Sequence, residues 1–189
     1  ISNNTAADVG GGVRSLGNVT VINSTISGNT SVGWHGGAAF ITDGVVDVLH
    51  STVSNNSSPG GTAGGLFVGT FGDSSATLNL ADTIIADNSG EQCFAGFFGG
   101  GAVSLQSSGY NVASDGSCNL TATGDQPNTD PLLGDLGDNG GPTATQALMA
   151  GSPAIDAGNS VTCPATDQRG VSRPQGASCD VGAYEAEAP

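Results

Sequence analysis

The sequence predicts an all-β fold, a right-handed parallel β-helix with an irregular C-terminal cap. Two observations lead to this prediction. A motif recurs along the chain at intervals close to one coil of such a helix, and apolar residues alternate with polar ones within each repeat. A composition with 32 glycines that is still 37% hydrophobic also favours many short strands joined by turns.

The repeat is clearest in three related segments, residues 24–29 (STISGN), 51–56 (STVSNN) and 82–88 (DTIIADN). Their threonines are 27 and then 31 residues apart. Glycine pairs recur with a similar but looser spacing, at positions 11–12, 36–37, 64–65 and 99–100. Recurring anchors with variable spacing are typical of a solenoid, in which insertions occupy loops on the faces of the repeat.

Short alternating apolar runs precede these segments, as in Val19 and Val21 or Leu78 and Leu80. A period of two is typical of β-strands. No segment carries a sustained apolar stripe of helical period, which argues against the helical solenoids. Three short strands per repeat, each stacked on its equivalent in the next coil, give parallel sheets, and the crossover rule makes the coil right-handed.

An asparagine ends each repeat segment, at Asn29, Asn56 and Asn88, and Asn4 is an earlier member of the series. Asparagine tolerates left-handed backbone angles, and its side chain can hydrogen-bond along a stack of equivalent side chains. We therefore predict a structural ladder of Asn29, Asn56 and Asn88 at one bend of the coil.

Several aromatic residues lie close to the glycine pairs. Phe40 and Phe67 follow their pairs at nearly the same offset, which predicts that they stack and fill the interior of the coil. Trp34 and His35 come just before a glycine pair, in a turn. Because an exposed Trp can stack on a sugar ring, Trp34 and His35 are the candidate ligand-binding residues; the plainer interpretation is a loop that packs on its own coil.

The charge of the chain excludes two classes of partner. Its only basic residues are Arg14, Arg169 and Arg173, against 17 acidic residues, and the formal net charge is −14. Binding of nucleic acid or of an anionic membrane surface requires clusters of Lys and Arg, so neither partner is expected. No apolar run approaches the roughly 20 residues that span a bilayer. Any membrane anchor is therefore expected outside this segment.

The four cysteines, Cys93, Cys118, Cys163 and Cys179, lack the close spacing of a zinc or redox motif. Two disulfides formed in an oxidising compartment fit them best. Cys93 and Cys118 are 25 residues apart, about one coil, and one strand spacing lies within the separation that a disulfide bridges. They can pair across adjacent coils, and Cys163 and Cys179 would then fasten the C-terminal part, although four cysteines permit three pairings.

The coil repeat fades after about residue 120, which divides the chain into β-helix coils (residues 1–119) and a C-terminal segment (residues 120–189) that is rich in Pro, Gly and Asp. A solenoid end exposes unpaired backbone groups and its apolar interior. We therefore predict that the second segment caps the last coil. Arg169 and Arg173 stand among acidic residues such as Asp167 and Asp180, which favours ion pairs that hold this cap.

The C-terminal segment reads NTDPLLGDLGDNGGPTATQALMAGSPAIDAGN from 128 to 159 and DQRGVSRPQGASCDVGAYE from 167 to 185. This stretch resembles the C-terminal part of bacterial surface proteins of the choice-of-anchor Q type, which are similar to parallel β-helices with polymorphic outer-membrane-protein repeats. The resemblance is close over residues 88–185, and the earlier coils fit it more loosely. It implies an exported surface protein whose anchoring signal varies between members.

Some parallel β-helices degrade polysaccharides, and in such an enzyme carboxylates of the coils would form the active site. A hydrolase needs two or three carboxylates on one face of neighbouring coils. The coil acids share no repeat position, apart from Asp82 and Asp87 within one coil, and we predict no catalytic residues and no enzyme. We also predict no cofactor or metal. Asp130, Asp135 and Asp138 could ligate calcium, but the EF-hand and nonapeptide calcium patterns are both absent.

These features together predict a structural or adhesive module of an extracellular or cell-surface protein. A carbohydrate-binding or polysaccharide-degrading β-helix is the alternative, with a cell-surface polysaccharide as partner. The chain opens inside a repeat at Ile1, without a signal peptide, which indicates processing or truncation. An uncapped first coil could associate head to tail with another copy and form a filament, unless further coils precede it.

Overall fold

The computed structural model describes residues 1–187, apart from the side chains of residues 97 and 98. Within this range the chain is all-β, with sixteen strands and no helix. The described part of the chain therefore contains no helix of the length and apolarity that crossing a bilayer requires. Residues 188 and 189 of the predicted C-terminal segment lie outside the described residues.

The strands are β1 (Thr5–Ala6), β2 (Val13–Leu16), β3 (Val19–Ile22), β4 (Thr25–Ser27), β5 (Thr30–Ser31), β6 (Ala39–Thr42), β7 (Gly44–Leu49), β8 (Thr52–Ser54), β9 (Leu66–Phe71), β10 (Ala76–Ala81), β11 (Ile84–Ala86), β12 (Cys93–Phe98), β13 (Val103–Ser107), β14 (Val112–Ala113), β15 (Leu133–Gly137) and β16 (Thr145–Leu148).

The first fourteen strands wind into a solenoid of about four coils, which confirms the predicted fold class. Three four-stranded parallel sheets run along it, with the orders β2-β6-β9-β12 (sheet I), β3-β7-β10-β13 (sheet II) and β4-β8-β11-β14 (sheet III). A two-stranded parallel sheet, β1-β5, lies beside the first two coils. Each coil contributes one strand to each of the three main sheets.

The alternation of residues along the strands forms the core. In sheet III, Ile26, Val53 and Ile85 are in register on successive coils and are fully buried inside the solenoid. Inward residues of sheets I and II, such as Ile41 and Leu78, join the same cluster. Stacking equivalent apolar residues at one strand spacing removes them from water along the whole axis, which is the main stabilising contribution.

The asparagine ladder is present at the bend that follows sheet III. The side-chain amide of Asn29 donates to Asn56 Oδ1 (2.9 Å), and that of Asn56 donates to Asn88 Oδ1 (2.8 Å). The ladder ends on Gln92, whose Oε1 accepts from Asn88 Nδ2 (2.6 Å). The left-handed backbone angles lie one residue before each ladder position, at Asn3, Gly28, Asn55 and Asp87, so the ladder asparagines serve for hydrogen bonding and not for the sharp turn.

The third repeat segment is in a different register from the one that its threonine suggests. Thr52 pairs with Ile84, and Val53 pairs with Ile85, so Thr83 is equivalent to Ser51 and lies one position before the strand. A slip of one residue would exchange the inward and outward faces of β11. The buried Ile85 and the ladder residue Asn88 fix the register that is observed.

The fourth glycine pair also departs from the repeat. Backbone amides of Gly64 and Gly65 donate to Ser89 and Glu91, so the next coil has no glycine pair at this place. Residues 99–101 lie instead against the turn after β9, where the Gly101 amide donates to Gly72 (2.9 Å). This explains the long interval before the last pair in the sequence.

The predicted phenylalanine stack lies on the outer face of sheet I and not in the interior. Ala39 and Ile41 point into the solenoid, so the alternation places Phe40 outward, and Phe67 is outward by the same rule. The rings of Phe40 and Phe67 stack at 4.4 Å, and Phe94 extends the stack on the next coil at 5.7 Å. Phe40 and Phe67 are buried, and Phe94 is partly buried.

Both predicted disulfides form, and the described residues include no free cysteine. Cys93 and Cys118 have their Cα atoms 4.8 Å apart, and Cys163 and Cys179 have theirs 6.4 Å apart. Cys118 lies in a closing segment (residues 114–129) that continues the winding beyond β14. The segment places Leu120 in the main core and pairs Gln126 with Val112, so it covers the end of the last coil.

The rest of the C-terminal part, which we call the tail (residues 133–187), is not confined to the last coil. It runs along the outer face of sheet III and contacts all four coils. Its β15-β16 hairpin and turns cover Ile84 and Val112 with apolar side chains, among them Leu148 and Val181. The outer face of sheet III is itself apolar at these positions, which is the physical reason why the tail docks there.

Hydrogen bonds fix the position of the tail along sheet III. Thr25 Oγ1 donates to Gln168 Oε1 (2.7 Å), and Thr52 Oγ1 accepts from the Ala183 amide (3.1 Å). Gly182, at φ +94°, passes so close to the sheet that a Cβ atom would stand 2.8 Å from Thr52 Oγ1. The tail backbone therefore rests directly on the strand side chains.

Substitution of Asn56 by Ala is expected to lower the free energy of unfolding by about 3 kcal/mol or more, because several buried groups of the ladder lose their partners and each costs about 1–3 kcal/mol. Asn56 Nδ2 donates to the Ile26 carbonyl (2.9 Å) as well as to Asn88. Urea-induced unfolding measures the effect. Asn79→Ala is the control, since half-buried Asn79 makes a single side-chain bond, to Asp47 (2.7 Å). Equal losses in the two variants would contradict the structural role of the ladder.

Candidate functional site

A groove of about 280 Å³ opens on the outer face of sheet I, at its first three coils. Its lining combines aromatic residues with one acidic and one basic residue. The lining residues are Asp8, Val9, Arg14, Trp34, Phe40 and Phe71. Ligand sites are typically concave and mostly apolar with a few polar groups, and this groove has that composition.

The register of sheet I places the floor of the groove. Arg14 on β2 and Phe40 on β6 are partners in the parallel pairing, so both point outward and lie one strand spacing apart. Phe40 is buried beneath Val9, while Arg14, on the first coil, is exposed. The chain thus presents a guanidinium beside a rigid apolar surface.

Trp34 forms one wall, and its backbone is held on both sides. Its amide donates to the Asp8 carbonyl (2.9 Å), and its carbonyl accepts from Ser31 Oγ (3.0 Å). The preceding Gly33 packs against the loop at Asp8, where a Cβ atom would stand 2.9 Å from the Asp8 carbonyl oxygen. The loop that carries Trp34 is therefore fixed to the coil before it.

Phe71 is a second aromatic lining residue, at the end of β9. Its amide donates to Asp43 Oδ1 (2.9 Å), which ties the strand end to the preceding coil. The rings of both walls present surface to solvent, with Trp34 54% and Phe71 47% exposed. Two large aromatic residues so exposed on one groove are unusual among surface residues, and such surfaces commonly mark binding sites.

His35 does not face the groove with Trp34. Its ring stacks on Phe67 and Phe94, with centroids 5.1 Å away in both cases, and its Nδ1 accepts from the Thr62 amide (3.0 Å). Burial lowers the pKa of His35 below its usual value. Of the two residues predicted to bind a ligand, the structure places Trp34 in the groove and His35 in the aromatic stack.

The sequence did not single out Asp8, Arg14, Phe40 and Phe71 as groove residues. The signal that could have found two of them is the alternation of sheet I, since the inward pattern of β2 and β6 requires Arg14 and Phe40 to share the outer face. Phe71 and Asp8 reach the groove from a strand end and a loop. Their positions depend on loop paths that repeat spacing does not determine.

A second candidate lies where the tail crosses a bend of the coils. His50 and Asp82 occupy the same left-handed corner on successive coils, and His50 Nε2 is 4.0 Å from Asp82 Oδ2. The tail takes both carboxylate oxygens of Asp82, because Oδ1 accepts from the Asn159 amide (2.6 Å) and Oδ2 from Thr162 Oγ1 (3.3 Å). Burial raises the pKa of Asp82 and lowers that of His50. This pair therefore fastens the tail to the coils.

The other acidic residues considered from the sequence are separate from both places. Asp130 Oδ1 accepts from the Leu132 amide (2.8 Å), and Asp138 Oδ1 accepts from the Gly140 amide (3.0 Å), as in ordinary turns. Burial, reinforced by the charge of Asp130, raises the pKa of Asp87. Within residues 1–187, no group of three or more His, Cys, Asp or Glu side chains has the arrangement of a metal site.

The two tail arginines form ion pairs. Arg169 pairs with Asp167 (2.8 Å) and lies over the ring of Tyr184, 3.6 Å from its centroid. Arg173 is buried, where it pairs with Glu185 (3.6 Å) and donates to the Asp180 carbonyl (2.7 Å). These contacts hold the tail together internally.

Asp180 belongs to the same buried group, and burial raises its pKa to about 6. Between the unfolded value near 3.8 and this value, the folded chain binds a proton that the unfolded chain does not. The contribution of Asp180 to stability is therefore present at low pH and is lost as the pH rises through 6.

Asp180→Asn is expected to remove this dependence. The fall in the free energy of unfolding between pH 4 and pH 7 should be smaller in the variant by about 2 kcal/mol, from roughly 1.4 kcal/mol per unit of pKa difference. Urea titrations at a series of pH values measure it for both proteins. Parallel curves would show that Asp180 titrates normally in the folded chain.

Comparison of the chain with protein-family models, with curated proteins and with solved structures gives no match.

Proposed function

We propose that this chain is a module of an exported protein, secreted or displayed at the cell surface, with a structural and adhesive role. The observation that carries the proposal is the pair of disulfides. One joins adjacent coils and the other fastens the tail. Disulfides form and persist in oxidising compartments, and both bridges lie at places where they protect the fold from opening.

The architecture supports a structural role. Inward side chains stack without interruption from the first to the fourth coil, and the tail braces the outer face of sheet III along the same length. The continuous core joins the four coils into one packed body. A rigid rod that positions a binding surface at a distance is what an adhesive protein requires.

The resemblance to choice-of-anchor Q surface proteins supports the same assignment. That resemblance covers the tail most closely, and in this chain the tail is an integral brace of the solenoid. We propose membership of that group on the strength of the sequence pattern.

The proposed role is not enzymatic. Three of the coil carboxylates have structural partners: Asp43 accepts from the Phe71 amide, Asp47 from Asn79, and Asp82 from the tail. A carbohydrate-binding β-helix is the second candidate function, and the aromatic groove favours its binding form over a polysaccharide-degrading one.

The test of export uses the protein isolated from its native source. We expect it in the secreted or surface fraction, accessible to a membrane-impermeant label, with peptide mapping under non-reducing conditions that finds the Cys93 to Cys118 and Cys163 to Cys179 links. Four free thiols, or a cytoplasmic location, would contradict the proposal. Sedimentation velocity on the same material tests the head-to-tail association expected from the sequence.

The non-enzymatic part of the proposal has its own test. Incubation with a panel of acidic and neutral polysaccharides should yield no new reducing ends or unsaturated products. Turnover that is abolished by a single Asp→Asn substitution in the coils would make the chain a polysaccharide-degrading enzyme.

A further inference from the structure

The groove on sheet I holds the one basic residue of the coils. Arg169 and Arg173 are used within the tail, whereas Arg14 takes part in none of the ion pairs among the described residues. It is exposed and lines a groove whose other lining residues are apolar apart from Asp8. A guanidinium offers five donors in a planar fork that matches a carboxylate, so its preferred partner is an anion with that geometry.

The walls of the groove define the shape of the ligand. Trp34 and Phe71 each present about half of their surface, and Phe40 and Val9 complete an apolar floor. A pyranose ring has a C–H face that can lie against an aromatic ring while its hydroxyl groups point outward. A volume of about 280 Å³ in an open groove suits one such ring with its neighbours extending into solvent.

Asp8 supplies the complementary polar group. Its backbone carbonyl accepts from the Trp34 amide and from Ser31 Oγ, which holds Asp8 in place as a lining residue of the groove. A carboxylate accepts hydrogen bonds from sugar hydroxyls, as it does in many carbohydrate sites. Arg14 and Asp8 both line the groove, and they form no ion pair with each other.

We propose that this groove binds a saccharide that carries a carboxylate, such as a uronic acid residue of an acidic polysaccharide. Arg14 holds the carboxylate, Trp34 and Phe71 hold the ring, and Asp8 accepts from a hydroxyl group. The inference deepens the adhesive role proposed above and rests on it, because it names the class of surface to which the module adheres.

The net charge of −14 does not prevent this binding. At physiological ionic strength, charges more than about 8 Å apart are largely screened, so the groups nearest the ligand decide the interaction. Those groups are the guanidinium of Arg14 and the carboxylate of Asp8, and the carboxylate can accept a hydrogen bond from a sugar hydroxyl. An acidic surface elsewhere on the chain instead disfavours contact with the polymer outside the groove, which confines recognition to one place.

The test compares two ligands that differ only in charge, trigalacturonate and its methyl ester, by isothermal titration calorimetry in calcium-free buffer. The wild-type chain should bind the acid about fivefold more tightly than the ester, the upper end of what an exposed ion pair contributes. Arg14→Gln should remove that preference and leave the ester unchanged. Arg14→Lys should retain part of it, because the charge remains but the fork is lost.

The aromatic walls are tested by Trp34→Ala, which should weaken both ligands by about tenfold, a fold-change in the range of aromatic contacts in binding sites. Phe71→Ala is the second variant, in case the loop at Trp34 rearranges. Met149→Ala is the matched control, because Met149 lies on the tail and is 55% exposed, close to the value for Trp34. It should change neither affinity.

Two results would overturn the inference. Equal affinity for the acid and the ester, unaffected by Arg14→Gln, would show that the groove does not read a carboxylate. No binding of either ligand by the wild-type chain would remove the saccharide from the groove. Neither result touches the proposed export and structural role, which the location of the protein and the disulfide mapping decide.

Discussion

The structure depends on how the backbone amides and carbonyls at the bends between its strands find hydrogen-bond partners. A coil that turns three times must bury the amides and carbonyls of each bend, and an unpaired buried group costs about 1–3 kcal/mol. The chain solves this with columns of side chains that hydrogen-bond from one coil to the next. Asn29, Asn56 and Asn88 form one column, and each also accepts from or donates to the backbone of a neighbouring coil. These hydrogen bonds form only when equivalent asparagines lie next to each other on successive coils. The column therefore fixes the register in which the strands of neighbouring coils pair.

The register of the corners carries over to the groove. Once the coils are aligned, Ala39 and Ile41 of β6 must point inward, so Phe40 must point outward with Arg14 beside it. The same alternation puts threonines and Ile84 on the outer face of sheet III, and the tail covers them. Two outer faces of one solenoid are therefore used differently. One is covered by the chain itself, and the other carries a groove that remains open to solvent.

The sequence revealed those features that repeat with the coil. The strands, the asparagine column and the Cys93–Cys118 bridge all depend on residues one coil apart. Spacing points to each of them, although for the cysteines it leaves three pairings open. It gave the wrong face for Phe40 and Phe67, because an aromatic residue beside glycines can lie inside a coil or beneath a loop that folds over it. The sequence pattern matches Thr83 with Thr52, whereas the structure makes Thr83 equivalent to Ser51. A threonine occurs at each of these two repeat positions, so the pattern does not distinguish them. The tail was the largest difference. Its contacts, such as Thr52 with Ala183, join residues 131 apart with no periodic signal to relate them.

The same distinction explains why the groove could be anticipated only in part. Trp34 was recognisable as an exposed aromatic residue in a turn, but a single residue does not define a site. Its partners come from a loop, two neighbouring strands and a strand end, and only the winding of the chain brings them together. In a solenoid, function that resides in such non-periodic residues can change without disturbing the columns that hold the coils. The bends determine the frame of the solenoid, and the loops that cross its open face determine the lining of the groove.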